Sequence, residues 1–272
     1  MKSFKIIFCL TYLVLLNTSC SKTNNPTPIV KSSINPFGVI VQDSVVISPN
    51  FQVTEGKNLG VKYLREAIAI PDFNGAQKSS YSNAIANGFR VVLTVNSLGT
   101  TTQPNPFVTD IQTYQSKLSS ILDVYKPELV VVENEEANVL YHSGTVAQYL
   151  NELNAAVTIA HSKGYKVTNG GLTRGIALLT WQNYINNGMT DKAQSFADRV
   201  FSDNIKSDLP ALTNHSSLLS LMKFTDSLIK GYKNSSIDYV NFHWYEPSIL
   251  NGGANGTYYS NQAYTEMIKG TS

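Results

Sequence analysis

From Pro36 onward the chain alternates short, β-rich apolar runs with longer stretches of helical periodicity, and this alternation constrains the fold more than any other feature. The runs cover 37–41, 61–68, 89–95, 129–135, 165–171 and 237–245, each rich in Val, Ile, Phe or Tyr. Nearly continuous apolar runs of this length read as strands buried on both faces. Strand–helix alternation implies a parallel sheet with helices packed on it.

The helices between the runs carry their own signals. Between 107 and 125 apolar residues fall at 107, 111, 114, 118, 121, 122 and 125, one face of a helix. Thr109 and Gln112 have capping-box spacing at its start. Thr145 and Gln148 repeat that spacing before Tyr149, Leu150, Leu153, Ala156, Val157 and Ala160, and Gly164 stands where that helix would stop. The section 178–232 predicts two or three helices in an enlarged connection, and 261–269 one more.

Two architectures fit this alternation, an open doubly wound sheet and a closed eight-stranded barrel. No Gly-rich phosphate loop opens a helix, which weighs against the nucleotide-binding open sheet. The glycines of Gly170-Gly171-Leu172-Thr173-Arg174-Gly175 lack dinucleotide or P-loop spacing and read as a strand-end turn. Six runs are two short of a barrel, which takes about 250 residues with modest loops. The expected fold class is therefore α/β of (β/α)8 TIM-barrel type, incomplete, with about six β/α units over 36–272.

The first 20 residues read as an export signal: Lys2 and Lys5, the apolar run 6–16, then small residues before Cys20. Leu16-Asn17-Thr18-Ser19-Cys20 is similar to a bacterial lipobox, so Cys20 is the expected lipidation site, and polar 21–35 with Pro26 and Pro28 the tether. The apolar run is shorter than the roughly 20 residues of a membrane-spanning helix. The expectation is an exported lipoprotein of the bacterial cell envelope that meets the membrane through its N-terminal lipid. Cys9 and Cys20 are the only cysteines, so the folded part has none for disulfides or thiolate metal sites. With the leader's two lysines removed from the 21 basic residues, 19 basic side chains face 19 acidic ones. A neutral protein offers no basic stripe, and no nucleic-acid partner is expected. A monomer without cofactor is expected.

In parallel α/β barrels, reacting groups lie at the carboxyl ends of strands. The fourth run ends Glu133-Asn134-Glu135-Glu136-Ala137-Asn138. Strand alternation, if it runs that far, puts Glu133 and Glu135 on one side and Asn134 and Glu136 on the other. Three carboxyls at a buried strand end are costly unless paired or facing a cleft. A solvated loop after the strand is the competing reading. The sixth run, Asp238-Tyr-Val-Asn-Phe-His243-Trp244-Tyr245, gathers His, Trp and Tyr at its end, as a sugar-binding floor would.

The run Val130-Val-Val-Glu-Asn134-Glu135-Glu-Ala-Asn138, followed much later by Asp238-Tyr-Val-Asn-Phe-His243-Trp244-Tyr245, resembles the glycoside hydrolases of clan A. The resemblance extends over about 36–260 in strand order and local motif. It implies that Glu135 is the general acid/base and that Asn134 hydrogen-bonds the sugar hydroxyl beside the reacting carbon. It further implies that His243, Trp244 and Tyr245 line the site, and that Arg65 is the arginine near the end of the second strand. Asn96, from its place at the end of the third run rather than from the resemblance, fits a cleft-facing residue and a turn residue equally. The implied retaining mechanism needs a second carboxylate about 5 Å from the first. In the family this nucleophile is a Glu ending the seventh strand, so it is expected to be missing from this chain. Glu266 falls in a helical pattern, and Glu246 or Glu136 would need a rearranged site. A non-catalytic glycan-binding lipoprotein is the alternative. Trp181 is expected in the core, and His142, His161 and His215 show no metal-ligand spacing, so no metal site is expected.

Overall fold

A computed structural model of the chain describes residues 38–40, 49–97, 104–173, 176–201 and 203–243. All belong to the unit Asn35–Ser272. The expected signal, Cys20 and the tether up to residue 34 lie outside the described residues, as do Trp244, Tyr245 and the helix expected at 261–269.

In chain order the elements are β1 (Gly38–Val39), α1 (Pro49–Asn58), β2 (Tyr63–Ala69), a 3-10 turn (Ile70–Asp72), α2 (Ser79–Ala86), β3 (Arg90–Asn96), β4 (Asn105–Pro106), α3 (Ile111–Tyr125) and β5 (Leu129–Val132). Then follow β6 (His142–Ser143), α4 (Val146–Ser162), β7 (Lys166–Asn169), α5 (Ile176–Asn186), α6 (Thr190–Val200), α7 (Asp203–Asn214) and α8 (Ser216–Tyr232). The protein is thus mixed α/β with a parallel sheet, ordered β1-β2-β3-β5-β7. Each strand pairs with the next run in sequence, so winding proceeds in one direction without the reversal that defines a doubly wound sheet. The sixth run continues the series: Thr168 bridges Tyr239 and Leu172 bridges Phe242, both parallel.

The core lies between the sheet and its helices. Leu93, Val130, Val132 and Val167 from the strands pack with Leu118, Ile121 and Leu122 of α3 and Leu153 and Ala156 of α4. Burying a side chain of this size contributes about 1.5–3 kcal/mol, so this layer dominates the favourable side of folding. Both faces are buried along Leu93–Val95, Val130–Val132 and Val167–Asn169, as their runs predict, but β2 buries only one. In β2, Leu64, Glu66 and Ile68 are buried, whereas Tyr63, Arg65 and Ala67 are not. The second face opens on a cavity of about 370 Å³ lined by Tyr63, Arg65, Val92, Leu129, Val131 and Thr168 among others.

Element ends differ from the sequence reading for physical reasons. α4 has the full Thr145–Gln148 capping box, and Gly164, with φ of +81°, follows it. At α3 the cap is Asp110, not Thr109: the Asp110 carboxylate accepts the Thr113 N–H at 3.1 Å. β5 stops at Val132 rather than residue 135, because Glu133 and Glu135 take φ of +66° and +52°. β7 stops at Asn169 because the Asn169 side chain replaces the backbone ladder. Its Oδ1 accepts the Asn241 N–H at 2.6 Å and its Nδ2 donates to the Asn241 carbonyl at 2.8 Å. The enlarged connection holds four helices, α5 to α8, and Trp181 packs partly buried against the core. The parallel pair β4–β6 has no counterpart among the expected elements.

Candidate active site

The turn after β5 begins with two non-glycine residues in the left-handed region, each costing on the order of 1–3 kcal/mol. Such backbone persists where surrounding bonds over-determine it. Here the Asn138 N–H donates to the Glu135 carbonyl at 2.8 Å, and the Tyr141 and His142 N–H groups donate to the Asn138 carbonyl at 2.9 and 3.0 Å. His142 Nε2 closes the turn from the side, 2.8 Å from the Asn134 carbonyl, with its ring stacked on Phe107 at 5.0 Å. The alternation expected for 133–136 therefore ends at Val132, and the three carboxyls diverge.

Glu135 turns toward the sixth run. Its Oε1 lies 3.0 Å from His243 Nδ1, and its Oε2 accepts from Asn138 Nδ2 at 2.8 Å. On its other side, His243 Nε2 lies 3.3 Å from Arg65 Nη1, and Arg65 Nε donates to Thr94 Oγ1 at 2.8 Å. A guanidinium has only donors, so His243 Nε2 is assigned as acceptor and the ring proton to Nδ1, where it is donated to Glu135. Gly171 makes room for this ring. With φ of +125°, a Cβ there would stand 2.6 Å from His243 Nε2. The Glu135 side chain keeps 10% of its surface exposed.

Glu133 turns toward the helices instead. Ser97 N–H donates to its Oε1 at 2.6 Å, and Ser97 Oγ contacts both Glu133 Oε1 and Glu152 Oε1. Burial raises the Glu133 carboxyl above the ordinary Glu range, opposed by hydrogen bonds with Glu152 and Ser97. Burial and then the Glu133 charge hold Glu152 well above that range. Glu136 takes a third direction, accepting from Asn169 Nδ2 at 2.7 Å and from the Tyr232 hydroxyl. Burial raises it too, against those two hydrogen bonds. Glu136 is 1% exposed, and its contacts are separate from those of Glu135.

The structure thus brings together Glu135 from the turn after β5, His243 from the sixth run and Arg65, which is the third residue of β2, level with the start of β5 rather than near the strand's end as expected. Asn134 sits half-buried in the same turn. Asn96 is half-buried at the end of β3, and no hydrogen bond among the described residues joins it to Glu135. Trp244, Tyr245 and Glu246 fall outside the described residues. Sequence reasoning missed Asn138, His142, Glu152 and Asn169. Asn138 was legible as an i+3 partner of Glu135; the others depend on long-range packing. No group of three or more His, Cys, Asp or Glu among the described residues is placed to hold a metal ion, and no described helix is long and apolar enough to cross a membrane.

Chemically, the network presents one nearly buried carboxyl whose two oxygens are each oriented by a donor. Such a group can exchange a proton with a ligand atom at a fixed place. Neither a protein-family model nor a curated protein matches the sequence. Among solved structures the chain is similar to a family 39 glycoside hydrolase from the gut symbiont Bacteroides cellulosilyticus WH2, at 13% identity and a TM-score of 0.36. That match covers 51% of this chain and 32% of the other, about a third of the latter's length.

Proposed function

We propose that the chain is a glycoside hydrolase of (β/α)8-barrel type that cleaves O-glycosidic bonds of a polysaccharide or oligosaccharide, with Glu135 as general acid/base. The observation that carries this reading is the Glu135 carboxyl held between His243 Nδ1 and Asn138 Nδ2, with Arg65 behind the imidazole. One-directional winding of a parallel sheet, with Glu135 in the turn after the carboxyl end of β5 and His243 at the end of the sixth run, supports the barrel relation.

In the reaction, the Glu135 carboxyl protonates the glycosidic oxygen as the bond breaks. The resulting carboxylate then deprotonates the water that completes a retaining cycle. His243 keeps Glu135 aimed and Arg65 keeps His243 in one tautomer. Asn134 binds the neighbouring sugar hydroxyl, and Trp244 and Tyr245 extend the sugar floor. The nucleophilic carboxylate comes from outside the described residues, since Glu133 and Glu136 are engaged elsewhere. Cys20 anchors the exported monomer to the envelope membrane by lipid; neither cofactor nor nucleic acid takes part.

A non-catalytic glycan-binding role is the second reading, favoured by the lack of a second carboxylate beside Glu135 among the described residues. Glycan hydrolysis and glycan binding, measured on wild type and Glu135→Gln of the natural protein, separate the two. Hydrolysis lost with binding kept is the expected result. Hydrolysis kept in the variant overturns the role of Glu135, and binding without any hydrolysis in wild type selects the second reading.

A further inference from the structure

Ser97, Glu133 and Glu152 join the end of β3, the turn after β5 and the first half of α4. Ser97 Oγ reaches a carboxyl oxygen of each glutamate, the Ser97 N–H donates to Glu133 Oε1 at 2.6 Å, and Glu152 Oε2 accepts the Val108 N–H at 3.0 Å. A hydroxyl has one proton to donate. Between two carboxylates, one of its two contacts would set bare lone pairs against each other. The geometry is satisfied when one carboxyl keeps its proton: Glu152 donates to Ser97 Oγ, and Ser97 donates to Glu133.

The surroundings leave that proton in place. Glu133 is 4% exposed and Glu152 0%. The groups facing them are Glu136 from the same turn, Tyr114 from α3, Tyr149 from α4 and His142 from β6. His142 Nε2 stands 3.9 Å from Glu133 Oε2 but only 2.8 Å from the Asn134 carbonyl, and burial lowers its basicity. No Lys or Arg forms an ion pair with either glutamate among the described residues.

We infer that Glu152 is a positioning residue, which clamps the 133–138 turn, and so Glu135, from the helix side through a proton shared with Glu133 across Ser97. This role rests on the reading of Glu135 as the reacting carboxyl. Closing the clamp takes up a proton, because the open state frees two carboxyls that ionise in water. A carboxyl raised in the closed state favours closure at low pH. That preference is lost as pH rises through the raised value. Burial, with the Glu133 charge second, supplies the rise at Glu152.

The test compares the full chain with Glu152→Gln, whose amide donates to Ser97 at every pH, and with Glu152→Leu, which cannot donate. The readouts are the infrared band of protonated carboxyl groups and hydrogen exchange at the Asn138 amide, which bonds the Glu135 carbonyl. Just above the ordinary Glu range, where exposed carboxyls are ionised, wild type shows a buried protonated-carboxyl band that Glu152→Gln lacks. Relative to Glu152→Gln, exchange at Asn138 in wild type rises about tenfold per pH unit between the ordinary Glu range and the raised value of the shared proton, and levels off above it. Parallel exchange of the two proteins at all pH values, or no band removed by Glu152→Gln, overturns the inference. Fast Asn138 exchange in Glu152→Leu at every pH supports it; wild-type protection in that variant overturns it. No readout needs substrate, so absent glycoside cleavage with this exchange pattern would sink the Glu135 reading and leave the clamp standing.

Discussion

Tyr149→Phe removes one oxygen atom and leaves the ring, so it isolates what the hydroxyl does. Tyr149 is fully buried; its hydroxyl donates to the Val132 carbonyl at 3.1 Å and accepts the Gly170 N–H at 3.0 Å. The substitution leaves a buried carbonyl and a buried amide without that partner. A buried group deprived of its hydrogen bond costs about 1–3 kcal/mol, and the carbonyl's second lone pair softens its share. A loss of about 2 kcal/mol follows. For a domain of this size, about 2–4 °C per kcal/mol converts this to a midpoint lowered by about 4–8 °C. Thermal and urea melts followed by circular dichroism read the change, with the urea m-value unchanged because the surface exposed on unfolding is the same. A midpoint within about 1 °C of wild type would refute the assignment of this hydroxyl as the tie between the β5 and β7 ends.

Asp110→Ala is expected to lose about 1 kcal/mol of stability in the same melts, and Thr109→Ala very little, because Asp110 holds the Thr113 N–H. Equal losses would return the cap to Thr109. Gly171→Ala places a methyl 2.6 Å from His243 Nε2 at φ of +125°. The Nδ1–H resonance of His243, shifted by its bond to Glu135 in wild type, should move or vanish, and stability should fall by more than about 1 kcal/mol. An unchanged resonance would show that His243 does not need the space at Gly171.

The sheet was legible because its signal is local. Apolar runs such as Val130-Val-Val and the Thr145–Gln148 box specify strand and helix within a few residues, and the structure places both as the sequence implies. Strand ends were less legible. No local rule announces that Glu133 and Glu135 turn to positive φ, or that the Asn169 side chain stands in for backbone pairing. Those outcomes depend on His142, Tyr149 and the sixth run, which are distant in sequence. At the site, Glu135, His243 and Arg65 were singled out from strand-end position and the family resemblance, and they meet in one network. The carboxyl pair of Glu133 and Glu152 was hidden, because Glu152 occupies an unremarkable place in an amphipathic helix and gains its meaning only when α4 packs under Ser97.

The central claim concerns Glu135 as proton donor, and leaving-group dependence tests it without intermediaries. In the natural protein, the first turnover is timed on a glycoside with a sugar leaving group and on one with an acidic phenol leaving group. The first substrate needs protonation of its glycosidic oxygen; the second does not. With Glu135→Gln, bond cleavage should slow about 10²–10⁴-fold on the sugar glycoside, the usual contribution of a general acid, and hardly at all on the aryl glycoside. Equal slowing on both substrates, or none on either, would contradict Glu135 as the acid.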